Sequence, residues 1–232
     1  MLTEWKSVGI ALQEQSDGMN AGENEQFPSV ASEAIVVVDL VESTAASNLF
    51  GWYAVGRSLM RDLRALITEV GRGRALQCIK STGDGYLFTF AHPTAAEMAA
   101  LNAIESCFEL LDLINKRNAK LPEERAINLR FAVHFGEVDV VENDREGPHV
   151  SYTFRIEGIS RGSLAMALNS IPPEQFPLRN YVLCSEEVTG ILNRRCNKWA
   201  TSSLGLLKLK GFSGWREVFL VLPHSEAVAA AT

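Results

Sequence analysis

No run of eighteen apolar residues occurs anywhere in the chain, so no segment reads as a membrane span. The opening residues, Met1-Leu2-Thr3-Glu4-Trp5-Lys6, lack the basic and apolar regions of a signal peptide. Cysteine is scarce and shows no pairing pattern: Cys78, Cys107, Cys184 and Cys196 form neither a CxxC nor a CxxxC spacing. That argues against a zinc site and against a disulfide framework, and the expected location is a reducing cytoplasm. Positive charge is also in short supply. With 22 Lys and Arg against 28 Asp and Glu, the net charge is −6, and no basic footprint for nucleic acid exists. An acidic chain still binds a polyphosphate where metal ions and a few placed cations carry the local charge. No Gly-Lys-(Ser/Thr) follows Gly83-Asp84-Gly85, so that turn is not a Walker loop.

The 232 residues are enough for one sizeable domain or two small ones. Residues 1–33 read as an N-terminal tail or linker. Ser16 to Glu25 is polar and without period, although Trp5, Ile10 and Leu12 are able to form a short docked helix. From Ala34 to Leu222 the pattern is dense. The spacing predicts a strand over 34–39 and a helix over 44–71 with N-cap candidates Ser43 and Thr44. A hairpin of 75–80 and 86–91 follows, then a helix over 94–117 with Met98, Leu101, Ile104, Cys107, Phe108 and Leu111 at helical spacing. Ile127 to His134 alternates as a strand, and Val138 to Val141 either continues it or turns back. A helical segment runs from Val150 to about Leu168. A strand at 180–184, a short helix at 186–192 and a hairpin of 204–210 and 216–222 complete the domain. Residues 223–232 form a small C-terminal tail. This order gives an α+β fold with a mixed, mostly antiparallel sheet and flanking helices.

Two carboxylates stand out. Asp39 ends the apolar run Ala34-Ile35-Val36-Val37-Val38, and Asp84 lies in a glycine-flanked turn. An ionised carboxylate at the end of a buried strand is costly unless paired or metal-bound. If the two strands are neighbours, the carboxylates converge, which is how proteins hold Mg²⁺ beside a phosphate substrate. Taken alone, Asp39 reads as a helix cap and Asp84 as a turn residue.

The motif order resembles the catalytic domain of class III nucleotidyl cyclases over about residues 34–222. Asp39-Leu40-Val41-Glu42-Ser43-Thr44 is similar to that family's first metal motif, and Ile79-Lys80-Ser81-Thr82-Gly83-Asp84-Gly85 to its Lys-x-x-Gly-Asp-Gly turn. Phe131 to Val138 resembles its His-x-Gly-Glu-Val strand. Asp144, Gly147, Val150, Ser151 and Arg155 fall at its base-contact and catalytic spacing. Leu207 to Phe212 is similar to its closing Leu-Lys-Gly turn.

The resemblance implies a ferredoxin-like βαββαβ core and a head-to-tail homodimer with two sites in its groove. Asp39, Asp84 and the Leu40 carbonyl of one chain would hold two divalent ions, Mg²⁺ or Mn²⁺. Lys80, Asp144, Ser151 and Arg155 would come from the other chain. The reaction implied is attack of a ribose 3′-hydroxyl on the α-phosphate of a nucleoside triphosphate. Lys80 and Asp144 would read the base, Ser151 would orient the ribose, and Arg155 would face the charge developing on the phosphate.

Ser151 replaces the family's ribose-orienting Asn, and Tyr152, Thr153 and Phe154 replace small residues, their bulk either narrowing the base region or filling core. In size and in this region the chain is similar to stand-alone bacterial pyrimidine cyclases of antiphage signalling, which make cyclic UMP or cyclic CMP for a separate cyclic-nucleotide-binding effector. Adenylate cyclase is the alternative, and a nucleotide-binding module without turnover is a third reading.

The competing role for Arg155 is a surface ion pair with Glu157 or Glu33. For Lys80 it is a solvated strand end, and for Asp144 a charged loop. His134 reads as a structural histidine and His149 as a loop residue near Ser151. Arg57 and Arg61 read as a solvated helix face, and Asn48 to Tyr53 as aromatic packing at the groove.

Overall fold

The computed structural model describes residues 29–41, 56–121 and 126–224. The helix caps Ser43 and Thr44, the Asn48 to Tyr53 stretch, and both outer tail segments with Trp5, Ile10 and Leu12 lie outside the described residues. Among those described, the order is β1 (Ser29–Leu40), α1 (Arg57–Gly71), β2 (Leu76–Ser81), β3 (Gly85–Phe90), α2 (Ala96–Asn118) and β4 (Leu129–Val141). There follow β5 (Asp144–Glu146), α3 (Pro148–Glu157), α4 (Arg161–Leu164), a 3₁₀ turn (Pro173–Gln175), β6 (Tyr181–Ser185), α5 (Glu186–Arg195), β7 (Trp199–Leu207) and β8 (Arg216–Pro223). No described helix is long and apolar enough to cross a membrane.

The eight strands make one sheet in the order β2-β3-β1-β4-β6-β8-β7, with β5 paired to β4. Every pairing is antiparallel except β4 with β6. The first six elements, with β1 between β3 and β4, are the βαββαβ ferredoxin-like arrangement that the sequence predicts. The run 34–38 is apolar at every position because β1 is buried on both faces. Ala34, Val36 and Val38 pack under α1 and α2 with Phe88, Phe90 and Phe131. Ile35 and Val37 face the other way, toward Val150 and Phe154 of α3. Helix α1 buries Met60, Leu63, Ile67 and Val70, one face at helical spacing. Helix α2 settles by its small residues: Ala99, Ala100 and Ala103 lie flat on the sheet beside Ile104, while Met98 is turned out at 40% exposure.

Several expectations are corrected. Strand β1 begins at Ser29, so residues 29–33, read as tail, are strand that pairs with Gly136 to Val140. Of the two courses left open after Gly136, β4 takes the continuing one and runs to Val141, whereas Asp144 lies on a strand, not in a loop. The single helix expected from Val150 to Leu168 is two, interrupted at Gly158, with Ser160 starting α4 through a capping box with Ser163. Strand β7 starts at Trp199 and ends at Leu207, three residues short of the expected Lys210.

Candidate active site

Strand alternation builds the site. Val38 points under the helices, so Asp39 projects from the opposite face, the one α3 partly covers. In register, Asp39 stands between Gly85 of β3 and Arg130 of β4. The Leu40 amide donates to the Asp84 carbonyl at 3.3 Å, which draws the 81–85 turn against the end of β1. Glycine at 85 is required here, since an added Cβ would lie 2.1 Å from the Val38 carbonyl oxygen. The two aspartates therefore converge as the sequence predicts. Burial, and then the neighbouring Asp84 carboxylate, push the Asp39 carboxyl above its usual range, although Arg130 opposes this.

Sequence reasoning did not single out Arg130. Its Nη2 donates to Asp39 Oδ2 at 2.6 Å, and its Nε meets Glu157 Oε1 at the end of α3. One guanidinium thus serves two carboxylates beside a third, and burial pushes Glu157 up to about 7. The signal was available: Arg130 is the one charge within Ile127 to His134, on the same strand face as Ala132 and His134.

Lys80 at the end of β2 and Asp144 at the start of β5 form an ion pair. The Asp144 hydrogen bond raises the Lys80 ammonium. Burial pushes the Asp144 carboxyl up, but hydrogen bonds from Lys80 and from the Arg145 amide outweigh it and hold the group below its usual range. A buried ion pair fixes this hairpin, with Arg145 Nε on Glu33 Oε2 at 2.8 Å. Glu33 and Glu157, the two carboxylates weighed as partners for Arg155, are therefore taken by Arg145 and Arg130.

Ser151 and Arg155, one turn apart, are exposed on α3, because Val150, Tyr152, Phe154 and Ile156 turn inward. Arg155 makes no ion pair among the described residues. It lines a cleft of about 380 Å³ together with Lys208 and Lys210. Among the described residues no hydrogen bond or ion pair joins Ser151 or Arg155 to Asp39 or Asp84. Tyr152 is core: its ring packs edge-on against His134 and Phe212, and burial pushes its hydroxyl up to about 12.

The donor set suits a hard divalent cation. Two convergent carboxylates and a strand-end carbonyl are all oxygen, and burial and the Asp84 carboxylate push Asp39 up against the opposing Arg130. Among the described residues no group of three or more Asp, Glu, His or Cys could hold a metal ion, so phosphate oxygens would have to complete the shell.

No family model matches the chain. Over 81 residues it is 37% identical to the protein named adenylate cyclase 3 of Rhizobium meliloti (strain 1021); the match covers 35% of this chain and 13% of that protein. Solved structures similar over most of this chain and nearly all of their own include two cyclases. The adenylate/guanylate cyclase/hydrolase from Silicibacter pomeroyi is 21% identical, with a TM-score of 0.63 over 84% of this chain and 98% of that one. The guanylate cyclase domain of RhGC from Catenaria anguillulae, solved with GTP, is 15% identical, with a TM-score of 0.62 over 83% and 96%. At these identities the likeness shows that the chain has the fold of the class III cyclase catalytic domains.

Proposed function

We propose that the protein is a nucleotidyl cyclase that converts a nucleoside triphosphate to its 3′,5′-cyclic nucleotide and pyrophosphate, at sites shared between two copies of the chain. The observation that carries this reading is the convergence of Asp39 and Asp84 at the end of a buried strand pair, on the sheet face that also presents Lys80. Asp39, Asp84 and the Leu40 carbonyl would hold two Mg²⁺ or Mn²⁺ ions, which when bound neutralise the triphosphate and activate the ribose 3′-oxygen. Arg130 opposes the upward shift of Asp39 and aims its carboxylate. Its ion pair with Glu157 ties that aim to α3.

Lys80 and Asp144 offer one donor and one acceptor to the edge of a base. Ser151 offers a hydroxyl to the ribose. Arg155 presents a planar, permanently charged fork, and Lys208 and Lys210 in the same cleft add the charge that a polyphosphate needs. Positioning and charge neutralisation are the protein's contribution to such phosphoryl transfer. Among the described residues no hydrogen bond or ion pair joins Arg155 or Ser151 to the aspartates of their own chain, and a head-to-tail homodimer is the assembly that would complete each site.

The favoured base is a pyrimidine, UTP to cyclic UMP or CTP to cyclic CMP. The reading rests on the short Ser151 side chain and on the resemblance to stand-alone pyrimidine cyclases of bacterial antiphage defence. It places the protein in the cytoplasm, upstream of a separate cyclic-nucleotide-binding effector. ATP is the second reading, favoured by the 37% identity to a protein named adenylate cyclase. Incubating the protein with all four triphosphates and Mn²⁺ or Mg²⁺, with products read by mass spectrometry, decides between them. A cyclic pyrimidine nucleotide is expected. Cyclic AMP would establish the second reading, and no cyclic product from any triphosphate would sink both.

A further inference from the structure

Across the sheet from the helix layer lies a cluster that the proposed chemistry does not use. His134 of β4 is 1% exposed. Its Nδ1 is 2.8 Å from the Ser185 hydroxyl and 3.5 Å from Glu187 Oε2, and its Nε2 is 2.7 Å from His149 Nδ1. The two imidazoles also stack at 5.0 Å between centroids. His149 is not a loop residue. It sits in the first turn of α3, where its carbonyl accepts from the Thr153 hydroxyl at 2.8 Å.

The ring lies flat on the β4 backbone at Gly136, where a Cβ would be 2.3 Å from Nδ1. Glycine at 136 is what lets the helix seat there. A cavity of about 180 Å³ opens beside the pair, lined by Pro148, Tyr152, Phe212 and Arg216 as well. The groups that face it are Glu187 and Glu186 of α5, Glu137 of β4, Tyr152 of α3 and Arg216 of β8.

The hydrogen-bond arithmetic is strict. Between His134 Nε2 and His149 Nδ1 there is room for one proton. With both rings neutral, one nitrogen donates and the other accepts. With one ring charged the bond persists and strengthens, because a charged ring always has an N–H to give and its neighbour can adopt the accepting tautomer. With both rings charged, two N–H groups point at each other across 2.7 Å and the bond is lost. Glu187 Oε2 lies 3.5 Å from His134 Nδ1, and hydrogen bonding to His134 holds the Glu187 carboxyl down at about 2. Burial, followed by the neighbouring His134, moves the titration of His149 below that of a free imidazole. A group shifted this way contributes stability above the unfolded value of 6.5, and that contribution is lost as the pH falls through the lower folded value.

We propose that His134 and His149 form an acid-released latch: while at most one imidazole is charged it seats α3 on β4 and positions Ser151 and Arg155, and when both are charged it lets the helix go. The consequence for turnover rests on the cyclase reading. The mechanical part does not. His134 and His149 are positioning residues, acting through the helix and not on substrate.

Amide hydrogen exchange of residues 147–157 tests the latch without any nucleotide. After correction for intrinsic exchange, wild-type α3 should lose about tenfold or more of its protection between about pH 7.5 and about pH 5. The His149→Asn protein, whose side-chain amide occupies the Nδ1 position but takes no proton, should show no such loss. Equal protection at both pH values in the wild type, or the same loss in His149→Asn, overturns the proposal.

Turnover gives the second readout. The acid fall in kcat should be steeper in the wild type than in His149→Asn, with KM little changed in either. Identical acid limbs would count against the latch. If no triphosphate is cyclised at all, the functional reading fails, and the exchange experiment still decides the latch.

Discussion

The two faces of the sheet are made by the same strands and do different work. Under α1, α2 and α5, the face carrying Val36, Val38, Phe88, Phe131 and Val133 is apolar and fully buried. The opposite face, only partly covered by α3, presents Asp39, Arg130 and His134 from the neighbouring positions of those strands. Val38 and Asp39, Phe131 and Arg130, and Val133 and His134 are adjacent in sequence and point to opposite sides. One face therefore sets how firmly the scaffold holds, and the other sets what it holds in place. Substitutions on the two faces should separate stability from turnover.

The largest effect belongs to Asp39→Ala. It should abolish product formation with every triphosphate while leaving the melting temperature near wild type, and a shift of Tm with Mn²⁺ seen in the wild type should disappear. Phe88→Ala, on the helix-covered face, should lower unfolding free energy by about 3–5 kcal/mol in urea titration. The fraction still folded should turn over normally. A Phe88→Ala protein that is stable but inactive would break the comparison. Arg155→Ala removes an exposed side chain that has no ion-pair partner among the described residues, so kcat should fall about 10²–10³-fold with Tm unchanged. Smaller still is Lys208→Ala. Its ammonium lies 4.9 Å from the centre of the Trp215 ring at the rim of the Arg155 cleft, and its loss should raise KM for the triphosphate a few-fold, about 1 kcal/mol or less.

Much of this was legible in the sequence for a physical reason. Continuous apolar β-prone runs such as 34–38 and the alternation in Ile127 to His134 report burial directly. Asp84 and Lys80 were legible because short glycine turns fix where their neighbours go. Arg130 was not legible as a site residue, because nothing in the order of residues says that β4 lies beside β1 with Arg130 opposite Asp39. That is a matter of strand register. His149 was missed for the same kind of reason: its partner lies fifteen residues away and is brought to it by the turn at Glu142, a non-glycine residue with a φ of 54°. The break of the 150–168 helix was marked by Gly158 and by Ser160, and periodicity alone obscured it.

The central claim is that Asp39 and Asp84 of one copy of the chain work with Arg155 of another. The most direct measurement mixes two inactive proteins, Asp39→Ala and Arg155→Ala, after dissociation and reassociation. In a homodimer with two shared sites, half of the randomly paired dimers carry one intact site, so the mixture should recover about a quarter of wild-type turnover. A mixture as inactive as its components, beside an active wild type, would contradict the account.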